Sequence, residues 1–171
     1  AEKFNSKYGE TFVLPEAKIP KVGGRVMSLV DPTKKMSKSD GNPNGAIGLL
    51  EDPKSARKKI MSAVTDSKRH VKHDVQNQPG ISNLLEIYSG LSNKQISEIE
   101  EDFRKSKMGY THLKGEVADV VEKFLVDFQQ KYKEISESGK LESILETGVK
   151  KSYEISHPKL LEVYKKIGFL I

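Results

Sequence analysis

The sequence predicts a mainly α-helical bundle preceded by a short strand-and-loop segment that completes a larger domain. Three observations carry this expectation. Apolar residues recur at helical spacing through most of residues 53–167, β-branched apolar runs are confined to the first thirty residues, and Pro, Gly, Asn, Ser and Lys crowd residues 31–48 between them.

Residues 11–14 and 26–30 are short apolar runs separated by Pro15, Pro20, Gly23 and Gly24, and they read as strands. Two strands of this length cannot bury a sheet alone, so the region is expected to finish a domain whose body lies upstream. With Ala rather than Met at position 1, the chain is expected to be a piece of a longer protein. Residues 31–48 have the composition of a mobile surface loop, where functional residues often sit.

Asp52 as N-cap and Pro53 at the first helical position open a helix to about Val64, with Ile60 and Val64 inward. Residues 65–80 hold turn formers and charges and support no regular element. Ile81, Leu84, Leu85 and Tyr88 resume the helical period. Ser92 followed by Gln95 matches a capping box, starting a helix with Ile96, Ile99 and Phe103 inward. The strongest helix covers residues 111–135, striped by Leu113, Val117, Val120, Val121, Phe124, Leu125, Phe128 and Tyr132. Leu141, Ile144, Leu145, Val149 and Tyr153 are expected to supply that stripe's partner. Leu160, Leu161, Tyr164 and Ile167 form a last amphipathic segment after His157 and Pro158.

The 171 residues suit one ordinary domain, or a small domain with part of another. The absence of cysteine excludes disulfides, thiol catalysis and thiolate zinc sites, and it fits a reducing, cytoplasmic location. No apolar run approaches the roughly 20 residues that span a bilayer, so no membrane association is expected. The net charge of +5 is localised. Between Lys34 and Lys72 there are ten basic residues (34, 35, 38, 54, 57, 58, 59, 68, 69, 72) against four acidic ones (40, 51, 52, 66), a surplus of six. Such a surplus is the footprint of phosphate contact, although charged runs are more often solvated surface. Lys54, Arg57, Lys58, Lys59, Lys68, Arg69 and Lys72 suit an RNA backbone and a solvated helix face about equally, and they are not assigned as sites.

The chemistry-bearing string is Lys34, Lys35, Met36, Ser37, Lys38 and Ser39, in a loop after an expected strand. Lysine ammonium groups are compact charges that can follow a departing polyphosphate, and serine hydroxyls and loop amides add donors. Positive charge aimed where negative charge develops raises rate, and losing one such donor commonly costs about 3 to 4 kcal/mol.

Residues 35–39 match at every position the second signature of class I aminoacyl-tRNA synthetases. Residues 27–34 leading into it, Asp40 after it, residues 63–67 and residues 79–85 resemble bacterial tryptophanyl-tRNA synthetases, as do Phe4, Asn5, Tyr8, Gly9 and Glu10 upstream. The resemblance spans nearly the whole chain, strongly over residues 4–88. It implies a Rossmann-type α/β catalytic domain whose end is residues 1–48, carrying the signature loop. A helical tRNA anticodon-binding domain would follow over residues 49–171, its last helices packing back on the catalytic domain.

The resemblance further implies a homodimeric tryptophan-tRNA ligase that joins L-tryptophan to tRNA(Trp) through tryptophanyl-adenylate. ATP enters as its magnesium complex, with no protein-bound metal. By the same resemblance Lys35 and Lys38 are catalytic, and Val26, Lys35, Met36, Ser37, Lys38 and Ser39 bind ATP, Val26 through its backbone at the adenine. The family's first signature, a His-Ile-Gly-His-like string, is missing, as is the tryptophan pocket. The chain alone is therefore expected to form no adenylate. The lead-in of Asp31, Pro32, Thr33 and Lys34 favours tryptophan over the related tyrosine enzymes.

The alternative reading, from another class, is a noncatalytic basic helical module that binds RNA. His70 and His73 have metal-ligand spacing, but with no carboxylate pair evident nearby they read as basic surface. Among the aromatic residues, Tyr88 and Phe103 fall at core spacing, while Tyr110 follows Met108 and Gly109 in an expected loop and is left open for base stacking.

Overall fold

A computed structural model describes residues 1–20, 23–39 and 41–170. Asp40, quoted above with the signature, lies outside the described residues. The described helices are α1 (Glu2–Tyr8), α2 (Pro53–Ser62), α3 (Pro79–Ser92), α4 (Ile96–Ser106), α5 (Tyr110–Glu137) and α6 (Leu141–Ile167), with a 3-10 turn at Pro43–Gly45. The chain divides into two compact units, residues 19–132 and residues 1–18 with 133–171.

The expected strands, and with them the end of a Rossmann-type domain, are corrected. Among the described residues there is no strand, only an isolated antiparallel bridge between Met27 and Lys35. The apolar run at 26–30 satisfies its backbone piecemeal. Val26 O accepts from Met36 N at 2.9 Å, Ser28 N donates to Lys34 O at 2.8 Å, and Leu29 pairs with Gly45 O and Val64 N at 3.0 and 2.8 Å. Met27 is bonded by a side chain, as Asn83 Oδ1 accepts from its N–H at 2.8 Å and Asn83 Nδ2 donates to its carbonyl at 2.9 Å. With partners scattered over four segments no ladder can run, and β-branched composition cannot impose one. In the other unit, residues 11–12 are held by the Asn5 amide, which accepts from Thr11 N and Phe12 N and donates to Phe12 O.

The core of the 19–132 unit is one apolar cluster fed by every helix in it. Ala56 and Ile60 come from α2, Ile81, Leu84, Leu85 and Tyr88 from α3, Ile99 and Phe103 from α4, and Leu113, Val117, Val121 and Leu125 from α5. Asp52 caps α2 as expected, its carboxylate accepting from Ser55 N at 2.9 Å. Val64, expected inward, is exposed because α2 stops at Ser62. The capping box is Gln95 with Glu98, not Ser92 with Gln95. Ser92 still belongs to α3, which ends at the left-handed Asn93 and delays the next helix. Helix α3 meets the chain so closely that a Cβ on Gly80 would lie 2.2 Å from the Val64 carbonyl oxygen.

Helix α5 buries only part of its predicted stripe, since Phe124 and Tyr132 stay exposed. The residues expected to partner it, Leu141, Ile144, Leu145, Val149 and Tyr153, are exposed as well. They lie on α6, which continues as one helix through Pro158 instead of breaking there. Within that unit Lys159 Nζ donates to Thr11 O at 2.7 Å, and Lys166 Nζ reaches Thr11 Oγ1 at 2.7 Å, tying α6 to the segment after α1.

Candidate functional site

The signature segment begins in a charge-stabilised turn. Asp31 accepts from the Thr33 hydroxyl at 2.5 Å and pairs with Lys34 at 3.0 Å. The Thr33 hydroxyl first, and Lys34 second, hold the Asp31 carboxyl below the usual carboxylate range. The chain then turns back so that Met36 bonds Val26, bringing two expected ATP-binding positions into direct backbone contact. Met36 packs on the core, whereas Lys35, Ser37, Lys38 and Ser39 are exposed. Ser37 Oγ lies 3.2 Å from Ser39 Oγ and accepts from Ser39 N at 3.3 Å, shaping the end of the segment. Neither Lys35 nor Lys38 has an acidic partner among the described residues, so both charges face solvent.

Beside this segment lies a cavity of about 830 Å³, whose lining includes Met36, Ser37, Lys38, Ile47, Leu49 and Phe128. Its wall at residues 46–51 is pinned from two helices. Lys59 of α2 donates to Ala46 O at 2.9 Å and pairs with Glu51 at 2.7 Å. Gln129 of α5 donates to Leu49 O and Glu51 O at 3.1 and 2.8 Å. Sequence reasoning missed Asn83, Glu51 and Gln129, because side chains that bond distant backbone leave no periodic signal.

The basic group also resolves into parts. Arg57 is paired with Asp119 and Glu122 at 2.5 and 3.2 Å, and Lys59 is spent on Glu51, which removes both from any anion-facing set. Lys54, Lys58, Lys68, Arg69 and Lys72 remain exposed. His73 does have carboxylates beside it, against the sequence expectation. Its Nε2 lies 2.9 Å from Glu86 Oε1, and its backbone N–H donates to Glu100. Among the described residues no group of three or more His, Asp or Glu side chains could hold a metal ion.

Tyr110 opens α5 and is already bonded. Its hydroxyl donates to Asp66 Oδ1 at 2.7 Å and accepts from Gln78 Nε2 at 2.7 Å. Burial first, and the Asp66 carboxylate second, push the phenol up to about 12. Burial alone would raise Asp66, but hydrogen bonds from Tyr110, the Lys68 amide and Gln78 outweigh it and leave the carboxyl below its usual range. Tyr88 and Phe103 are core residues, as their spacing predicts.

Residues 1–126 match the family model described as tRNA synthetases class I (W and Y). The chain is 48% identical over 168 residues to a Bacillus anthracis tryptophan-tRNA ligase, covering 98% of this chain and 50% of that protein. Among solved structures it is similar to the tryptophanyl-tRNA synthetase of Mycoplasma pneumoniae, at a TM-score of 0.90 and 29% identity, covering 99% of this chain and 51% of that one. It is also similar to the Campylobacter jejuni tryptophanyl-tRNA synthetase, at a TM-score of 0.59 and 30% identity, covering 99% and 52%. The chain thus spans about half the length of the relatives it matches. No described helix is long and apolar enough to cross a membrane.

Proposed function

The chain belongs to the tryptophanyl and tyrosyl class I tRNA synthetase family and is a homologue of bacterial tryptophanyl-tRNA synthetases, and from that premise we propose that it acts as a noncatalytic, basic helical tRNA-binding module. The observation that carries this reading is how the helical unit of residues 19–132, with no strand among its described residues, uses its buried polar groups. Ser28, Gln78, Ser82, Asn83 and Ser89 are buried, and each one bonds nearby or distant backbone. These side chains are committed to holding the fold, while Lys68, Arg69 and Lys72 are exposed to meet a polyanion. The partner is tRNA(Trp), by the names of the relatives.

The test is titration of a fluorescently labelled tRNA(Trp) transcript with the purified chain across a salt series. The expected dissociation constant is about 1 to 100 μM near physiological salt, weakening steeply as salt rises. No binding even at about 50 mM salt would end this reading.

A second reading is favoured by the backbone bond between Met36 and Val26 beside the exposed Lys35 and Lys38. On it, Lys35, Ser37, Lys38 and Ser39 contact the phosphates of magnesium-bound ATP, and Val26 the adenine, when this segment stands within the full length that the relatives have. Lys35 and Lys38 would then stabilise the charge of departing pyrophosphate during formation of tryptophanyl-adenylate. Replacing both with alanine in such a full-length protein is expected to slow tryptophan-dependent pyrophosphate exchange at least about a hundredfold. Exchange indifferent to both would end it.

A further inference from the structure

We infer that the groove between residues 69–72 and the C-terminal end of α4 is a built binding site for an RNA phosphodiester. This rests on the RNA-binding reading above and names where the strand is gripped. The groove has a volume of about 510 Å³, and its lining includes the apolar side chains of Val71, Phe103 and Met108 together with Arg69, Lys72, Arg104 and Lys107. That is room for a small polar ligand such as a nucleotide unit.

The charges are not spent internally. Arg104 shares Glu101 at 2.5 Å, but Arg69, Lys72 and Lys107 have no ion-pair partner among the described residues. Of the two acids in the lining, Glu101 is held by Arg104 and Lys105, and Glu100 accepts from the His73 amide. The basic last turn of α4, Arg104 and Lys105, offsets the negative end of the helix dipole, which would otherwise repel an anion.

The backbone supplies an independent observation. Arg69 sits at φ 64 and Lys107 at φ 54, left-handed conformations that cost side-chain-bearing residues energy and persist only where the surroundings impose them. Lys107 caps α4, a position that glycine usually takes. Arg69 is fixed from both sides by a network that a merely solvated loop does not require. Asp66 accepts from Lys68 N at 2.8 Å, and Gln78, only 1% exposed, donates to His70 O at 3.0 Å. Tyr110 bridges Asp66 and Gln78. A buried glutamine and a tyrosine are thus committed to the neighbours of one exposed arginine, which is preorganisation of a contact residue.

The test uses the full chain and a labelled tRNA(Trp) transcript, comparing Arg69→Gln/Lys72→Gln/Lys107→Gln with a control carrying Lys54→Gln/Lys58→Gln. All five side chains are exposed, and circular dichroism checks that helicity is kept. The groove variant is expected to bind at least about tenfold more weakly near 0.1 M salt, with a log-log salt slope shallower by about 2. The control should lose less than about threefold. Tyr110→Phe should weaken binding while leaving the salt slope near wild type, since it removes positioning and no charge. If the wild type binds and the groove variant matches it, or both charge variants lose equally, the site is overturned and the RNA-binding reading stands. If the wild type binds no tRNA, that reading fails first.

Discussion

Asn83 holds Met27 by both of its backbone polar groups, accepting from the amide at 2.8 Å and donating to the carbonyl at 2.9 Å. One side-chain amide of α3 thereby does the work of a neighbouring strand. It fastens the segment of residues 26–36, with the signature lysines at its end, to the helical core. Removing it strands two backbone groups that have no other hydrogen-bond partner among the described residues. Asn83→Ala is expected to destabilise the 19–132 unit by about 2 to 3 kcal/mol in urea unfolding. Asn83→Asp should not rescue, because a carboxylate cannot donate to the Met27 carbonyl. A midpoint equal to wild type in either variant would show that the clamp contributes nothing.

Gly80→Ala tests the closest approach in the fold. The new methyl would sit 2.2 Å from the Val64 carbonyl oxygen, backbone against a helix, where neither side is a flexible side-chain end. The expected loss is about 2 kcal/mol or more, read from the shift in denaturation midpoint. A tolerated alanine would mean that residues 64–65 and α3 can slide apart freely.

The Asp66, Gln78 and Tyr110 network sets two pH limits. The phenol of Tyr110 is raised to about 12, so its neutral form is favoured by folding. That contribution is complete below the ordinary tyrosine value of about 10 and is lost as pH rises from there through about 12. Asp66 is lowered, so its contribution is complete above the usual carboxylate range and is lost as pH falls through its depressed value. Unfolding midpoints followed against pH should therefore fall at both ends. Tyr110→Phe should flatten the alkaline limb in part, leaving the share that belongs to Tyr88, also raised to about 12 by burial and then Glu116. An unchanged alkaline limb in Tyr110→Phe would contradict the assignment.

Lys35→Ala and Lys38→Ala should leave the denaturation midpoint unchanged. Both side chains are exposed and neither has an acidic partner among the described residues. A marked loss of stability in either would give these lysines a structural role and remove them as free phosphate contacts.

How much of this was legible in the sequence follows from the range of each interaction. The helices of the 19–132 unit were read from periodicity because their core residues, such as Leu84, Leu85, Val117 and Val121, mark one face each. Local caps were legible where the bond is local, as at Asp52 and Ser55. The expectation for residues 26–30 failed because β-branched composition reports a preference, while the partners that decide the outcome lie at Asn83, Gly45 and Val64. Pro158 misled for a related reason, since a proline costs a helix one donor but need not end it when flanking residues keep the period. The signature residues 35–39 were legible as a string in a surface loop, yet the contact of Met36 with Val26 was not.

The most direct test of a noncatalytic helical module is tryptophan-dependent exchange of pyrophosphate into ATP by this chain alone, on a preparation shown to bind the tRNA(Trp) transcript. No exchange above the protein-free blank, with tRNA binding intact, is the expected result. Exchange that requires tryptophan and is abolished by Lys35→Ala or Lys38→Ala would contradict it and make the chain catalytic by itself.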